Sequence, residues 1–144
     1  MPDDLHTTAS DRLRADGQRY TPRRRALVEV LSAADQPLTI PQLLEHRRDL
    51  AQSSVYRNLA VLERAGVVHR IVTADEFGRF ELAEDLTRHH HHLICSTCGG
   101  VSDFTVPSQV EHELESALSK VARRAGFRTT GHRLDLVGTC ASCS

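Results

Sequence analysis

The chain has no tryptophan, and aromatic residues make up only 4% of it, so its core rests on Leu, Val, Ile and Ala. In 144 residues that allows one or two small cores, each marginal unless a metal or a partner subunit supports it. No apolar run reaches the roughly 18 residues a membrane span needs, so no membrane partner is expected. The opening MPDDLHTTASDRLRADG is acidic and polar with no apolar stretch, which predicts no secretory leader and a cytoplasmic location. There is no H-E-x-x-H and no other nucleophile constellation, so neither an enzyme nor a small-molecule substrate is expected. Repeats are absent too, and the one biased tract is a run of histidines.

What remains is unevenly placed. The net charge of −1 says little about DNA, because binding depends on where charge sits, and here arginines crowd the N-terminal half. The C-terminal half holds all four cysteines and most of the nine histidines. Helices are predicted over about 3–15, ended by Gly17; 22–33, with Thr21-Pro22 as a capped start; and 39–47, opened by Thr39. A fourth is capped by Ser53, carries Val55, Leu59, Leu62 and Ala65 as one stripe, and stops at Gly66. VVHRIVT and RFELA, separated by Ala74-Asp75-Glu76-Phe77-Gly78, read as a β-hairpin. Helices followed by a two-stranded wing give the order of a winged helix-turn-helix domain. After a polar hinge at 84–88, strands are predicted at 91–95 and 101–104. An amphipathic helix then runs from Pro107 to Gly126 with Val110, Leu114, Leu118, Val121 and Ala122 on one face, and a last strand spans 132–137. The fold class is therefore α+β, with a winged-helix domain at 1–83, a hinge at 84–88 and a small α/β domain at 89–144.

Three motifs carry chemistry. Cys95-Ser-Thr-Cys98 and Cys140-Ala-Ser-Cys143 form two C-x-x-C pairs, and four thiolates suit a closed, structural tetrahedral Zn²⁺ site. A disulfide pair or unligated thiols are the competing readings, disfavoured in a reducing compartment. His89-His90-His91-His92 leads into an apolar strand. Side chains alternate faces in an extended segment, so His89 and His91 point one way, His90 and His92 the other, and one run serves two metal sites. Imidazole does not choose between Zn²⁺, Fe²⁺, Ni²⁺ and Cu²⁺; a solvated, non-ligating run is the alternative. Ser53-Ser54-Val55-Tyr56-Arg57-Asn58-Leu59 begins a helix whose N-terminal end suits a major groove. There Tyr56 meets a thymine methyl or a phosphate, and Arg57 a guanine edge or the backbone. An ordinary exposed helix face is the alternative.

The order T-P-R-R-R-A, S-S-V-Y-R-N-L, R-F-E-L, H-H-H-H-L-I-C-S-T-C-G and H-R-L-D-L-V-G-T-C-A-S-C resembles the ferric uptake regulator family over about 19–143. The resemblance implies a homodimer with a winged-helix domain, a hinge and an α/β dimerisation domain. It assigns Cys95, Cys98, Cys140 and Cys143 to a structural zinc. It implies a hinge sensor site with Glu81, His90 and His92. The iron and peroxide sensors' histidine falls at Pro37 and the zinc sensors' wing aspartate at His69, so His69 is the expected fourth ligand. The cysteine that zinc sensors tend to place before the histidine run is missing. A third site would use His89, His91, Glu111 and His132, with Asp103, which matches a ligand of the peroxide-responsive subgroup, supporting either site. Arg19 matches a residue that reaches the minor groove, Tyr56 and Arg57 match recognition-helix contacts beside Ser54, and Arg23 and Arg24 are expected phosphate contacts. The function so implied is a metal-loaded homodimer that represses metal-uptake genes from a palindromic double-stranded operator. The second metal is expected to be Fe²⁺ or Zn²⁺, with Mn²⁺ a further fit. The alternatives are a metal-storage or chaperone protein, or a peroxide-responsive member of the same family.

Overall fold

The structure, a computed structural model, describes residues 2–73 and 77–144. It has an α+β layout with two three-stranded sheets, ordered β1-β3-β2 and β5-β4-β6. Helices α1 (Pro2–Ala15), α2 (Pro22–Ala33), α3 (Ile40–His46) and α4 (Gln52–Arg64) accompany the first sheet. That sheet comprises β1 (Leu38–Thr39), β2 (Val68–Val72) and β3 (Gly78–Leu82). A single 3₁₀ turn, Glu84–Leu86, leads to β4 (His91–Cys95), β5 (Val101–Phe104), α5 (Ser108–Arg124) and β6 (Asp135–Gly138).

The core lies among the first four helices and the first sheet. Leu13, Leu27, Leu43, Leu59, Leu62 and Val67 are each no more than 1% exposed. Thr21 caps α2 by accepting from the Arg24 N–H, and Thr39 forms a capping box with Gln42 on α3, as their sequences predict. α4 departs from expectation. Its cap is Ala51, with no side-chain hydrogen bond, and Ser53 already lies inside the helix. The turn of the predicted hairpin at 74–76 lies outside the described residues, while its strands pair antiparallel with His69 opposite Glu81. Leu38–Thr39 adds a short strand against β3 that alternation over two residues could not announce.

In the second sheet β4 runs antiparallel to β5 and parallel to β6. The last strand begins at Asp135, three residues later than expected, because His132 turns its side chain to Glu111 instead of joining the ladder. No residue of α5 is buried and every residue of β6 is exposed. Leu118 and Val121 on α5 and Leu136 and Val137 on β6 stand open to solvent.

Candidate metal centres and nucleic-acid interface

Each cysteine pair sits in a tight turn. Gly99, at φ +74°, donates its N–H to the Cys95 carbonyl, and the Cys143 N–H donates to the Cys140 carbonyl. The Ser96 N–H and hydroxyl both donate to the Gly138 carbonyl, at 2.8 and 3.0 Å, which joins the two turns. All four thiols are free, and their sulfurs lie within 4.8 Å of one another. Cys98 Sγ and Cys140 Sγ stand 3.9 Å apart. A disulfide needs about 2.05 Å, whereas a tetrahedron with Zn–S legs of about 2.3 Å has an edge of about 3.8 Å. Backbone N–H groups of Cys98 and Cys140 point at Cys95 Sγ and bring its thiol down to about 6. Hydrogen bonding to Cys140, together with burial, pushes Cys143 up to about 12. Crowded sulfur donors of this kind suit a soft-to-borderline divalent cation, which favours their ionised form.

The histidine run divides by parity. His90 and His92 turn toward Glu81 on β3, with Nε2 atoms 2.9 and 3.1 Å from Glu81 Oε2. Asp103 on β5, the register partner of His92, completes a donor set of Glu81, His90, His92 and Asp103 within 4.8 Å. Burial alone would raise Glu81, but hydrogen bonds from His92 and His90 outweigh it and hold the carboxyl below its usual value. Glu81 in turn raises His92, and it raises His90 jointly with the Arg88 carbonyl against the opposing effect of burial. Burial raises Asp103.

His69, the fourth ligand expected from sequence, is outside this set. It stands across the ladder from Glu81, but its Nδ1 accepts from Arg133 Nη2 at 3.2 Å. Burial and the Arg133 guanidinium both lower its affinity for a proton. The difference arises because β5 carries Asp103 to the open side of the cluster, which position in the sequence does not reveal.

His89 and His91 turn the other way, toward Glu111 on α5, and meet His132. Glu111 Oε1 lies 2.7 Å from His89 Nε2 and 2.8 Å from His132 Nε2, and Oε2 lies 2.8 Å from His91 Nε2. The His91 contact leads in holding the Glu111 carboxyl down at about 2. His91 is 1% exposed, and its Nδ1 has no hydrogen-bond partner among the described residues. Leaving such a group unsatisfied costs about 1–3 kcal/mol, a cost that core packing alone does not account for. Three other imidazoles have their remaining nitrogen held. His90 Nδ1 lies 2.7 Å from the Arg88 carbonyl, His92 Nδ1 lies 3.3 Å from Asp135 Oδ1, and His89 Nδ1 contacts Glu84. Outer partners of this type orient metal-binding histidines. Glu84 and Asp135 are residues that sequence reasoning missed: Glu84 belongs to no motif, Asp135 lies in the H-R-L-D-L-V-G stretch without being singled out, and each meets the cluster only through the outer nitrogen of an imidazole.

On the opposite lobe α4 exposes Tyr56 and Arg57, and Arg19 and Arg23 are exposed on the segments beside it. Two residues expected there turn inward. Ser54 is buried and accepts from Asn58 Nδ2 at 3.1 Å, because the i and i+4 positions share the core side of the helix. Arg24 is half-buried and donates to Asn58 Oδ1 at 3.0 Å.

The model of the ferric uptake regulator family matches residues 15–137. The chain belongs to that family. Among family relatives, the peroxide operon regulator of Bacillus subtilis (strain 168) is 32% identical over 140 residues, covering 94% of this chain and 91% of that protein. The ferric uptake regulation protein of Campylobacter jejuni is 32% identical over 138 residues, covering 92% and 83%. The crystal structure of the Vibrio cholerae ferric uptake regulator superposes with a TM-score of 0.69 at 28% identity, covering 89% of this chain and 96% of that one. A family member with these two histidine-carboxylate sets has donors for two divalent cations besides a four-sulfur centre.

Proposed function

We propose that this protein is a metal-dependent transcriptional repressor that binds a palindromic operator as a homodimer and controls metal-uptake or metal-homeostasis genes. The observation that carries the reading is the Glu81–His90–His92–Asp103 set, which draws donors from both sheets across the 3₁₀ turn Glu84–Leu86. In this reading residues 1–83 form the DNA-binding domain, 84–88 the hinge and 89–144 the dimerisation domain. Cys95, Cys98, Cys140 and Cys143 would hold a structural Zn²⁺. Family membership supports a cytoplasmic site of action, and among the described residues no helix is long and apolar enough to cross a membrane.

A divalent cation at the regulatory set supplies positive charge that three or four ligands share. Two imidazoles and two carboxylates accept Fe²⁺ or Zn²⁺, and their oxygens also suit Mn²⁺. Glu81 anchors β3, His90 and His92 anchor β4, and Asp103 anchors β5, so common ligation restrains the turn between the sheets. That restraint fixes how α4 is presented, and in a dimer it fixes the spacing of two such helices. Turning a mostly open population into a mostly closed one needs about 5 kcal/mol of differential binding, within reach of such a donor set. His89, His91, Glu111 and His132 would brace α5 against β4 in the same manner.

The test is fluorescence anisotropy on a duplex enriched by the metal-loaded protein from a random pool. Loaded protein is expected to bind at least tenfold more tightly than chelator-treated protein, and Glu81→Ala to abolish the difference. Equal affinity in both states overturns the reading, and failure to enrich any duplex favours a metal-storage or chaperone role. Asp103 in the set, with the Bacillus subtilis relative named for peroxide, favours a second reading: peroxide-triggered release of DNA. Peroxide added to iron-loaded and to manganese-loaded complexes decides it, since only the iron-loaded complex should dissociate.

A further inference from the structure

Arg24 follows the exposed Arg23 on α2, yet its guanidinium points into the protein. Its Nε donates to Asn58 Oδ1 at 3.0 Å, and its Nη1 donates to the Arg19 carbonyl at 2.7 Å and to Gln18 Oε1 at 3.3 Å. Asn58 continues the chain by donating from Nδ2 to Ser54 Oγ at 3.1 Å, and both Asn58 and Ser54 are buried. Asn58 is the neighbour of Arg57 on α4. One planar fork therefore grips, from the inside, both the segment that displays Arg19 and the helix that displays Tyr56 and Arg57.

Beside this polar chain, Leu27, Val28 and Leu31 of α2 and Val55, Leu59 and Leu62 of α4 belong to one apolar core. Apolar contact is non-directional. It holds the two helices together but sets the rotation of α4 about its axis less sharply than a directional hydrogen bond does. Hydrogen bonds to base edges demand donor–acceptor distances of about 2.7–3.2 Å, so that rotation matters.

We infer that Arg24 is a positioning residue for DNA recognition. Its fork to Asn58 and the Arg19 carbonyl sets the pose of Arg19 relative to Tyr56 and Arg57, and it does not serve as a phosphate contact. The inference rests on the DNA-binding reading above. It makes fork geometry, and not charge, the property that counts at this position, and lysine keeps the charge without the planar donors.

The test uses full-length, metal-loaded protein, a duplex enriched from a random pool by the wild type, and a scrambled duplex of equal length. Arg24→Lys, Arg24→Gln and Asn58→Ala are compared across a salt series, with circular dichroism and stoichiometric titration of the DNA-binding fraction correcting for unfolded material. All three are expected to weaken the enriched duplex by about tenfold, the size of one charge-assisted hydrogen bond. The scrambled duplex should be bound as by wild type, the slope of log Kd on log salt should not change, and Arg24→Gln combined with Asn58→Ala should lose no more than the larger single change. A phosphate contact gives the opposite pattern: R24K stays near wild type, while R24Q weakens both duplexes alike and reduces the salt slope by about one. That result, or wild-type affinity in N58A, overturns the inference while leaving the DNA-binding reading intact. Wild-type protein that enriches no duplex overturns both.

Discussion

At the scale of single residues, chemistry here is set by which nitrogen or sulfur faces which neighbour. The Cys95 thiol at about 6 and the Cys143 thiol at about 12 lie in one cluster, and the spread comes from backbone N–H groups at the first and neighbouring sulfurs at the second. Cys140→Ser, which breaks the four-sulfur set, is expected to release about one equivalent of zinc to a chromophoric chelator and to lower the thermal midpoint by more than 10 °C. Structural zinc in small sites is worth about 10–16 kcal/mol. Tyr20 offers a pH test remote from any metal centre. Burial, opposed by Arg25 and aided by Glu29, pushes its phenol from 10.0 up to about 12, and its hydroxyl lies 2.6 Å from His6 Nδ1. A group raised on folding contributes fully below its unfolded value and loses that contribution as pH climbs to the folded one. Urea midpoints of wild type should therefore fall more steeply than those of Tyr20→Phe between pH 10 and 12, and parallel curves would contradict the assignment. The paired cysteines and the two-way split of the histidine run were legible at this scale, because spacing and alternation are local properties. That Asp103 joins the Glu81–His90–His92 group while His69 faces Arg133 was not, since it depends on where β5 passes and on a residue 64 positions from His69.

At the scale of elements, α1 illustrates how an exposed-looking helix earns its place. Its sequence is polar, yet Ala9 and Leu13 are fully buried against the four-helix core. Arg12 donates to the Gly66 carbonyl at 2.7 Å and pairs with Asp85, so α1 grips the end of α4 and the 3₁₀ turn together. Leu13→Ala is expected to cost about 2–5 kcal/mol by chemical denaturation, as for a large buried aliphatic residue cut back to methyl. Thr21 and Thr39 were readable as caps because each threonine stands immediately before a helical run, led by Pro22 in α2 and by Ile40-Pro41 in α3. Ser53 was not a cap, because the α2–α4 packing draws Ser54 and Asn58 inward and carries the helix start back to Gln52. Helix and strand existence thus followed from pattern, while boundaries followed from packing that single elements do not encode.

At the scale of the whole molecule, the second sheet and α5 stand out as a layer that its own chain does not cover. Leu118, Val121, Leu136 and Val137 are all exposed, and no residue of α5 is fully buried. In the homodimer reading proposed above, a second copy of the chain covers this layer. Leu118→Glu should weaken self-association by about a hundredfold, roughly the cost of burying one unpaired carboxylate at an interface. Analytical ultracentrifugation reads it directly, and an unchanged dimer would place the contact elsewhere.

The alternation of the imidazoles has a further consequence for the length of the chain. β4 is pinned at its far end, where Cys95 enters the four-sulfur turn and pairs with Gly138. Counting back from that anchor, odd-numbered histidines meet Glu111 and even-numbered ones meet Glu81. Removing a single residue between His92 and Cys95 would exchange the two allegiances, handing His90 and His92 to α5 and their neighbours to the wing. The gap of two apolar residues, Leu93 and Ile94, thereby acts as an address label: it decides which carboxylate, Glu111 or Glu81, each imidazole faces.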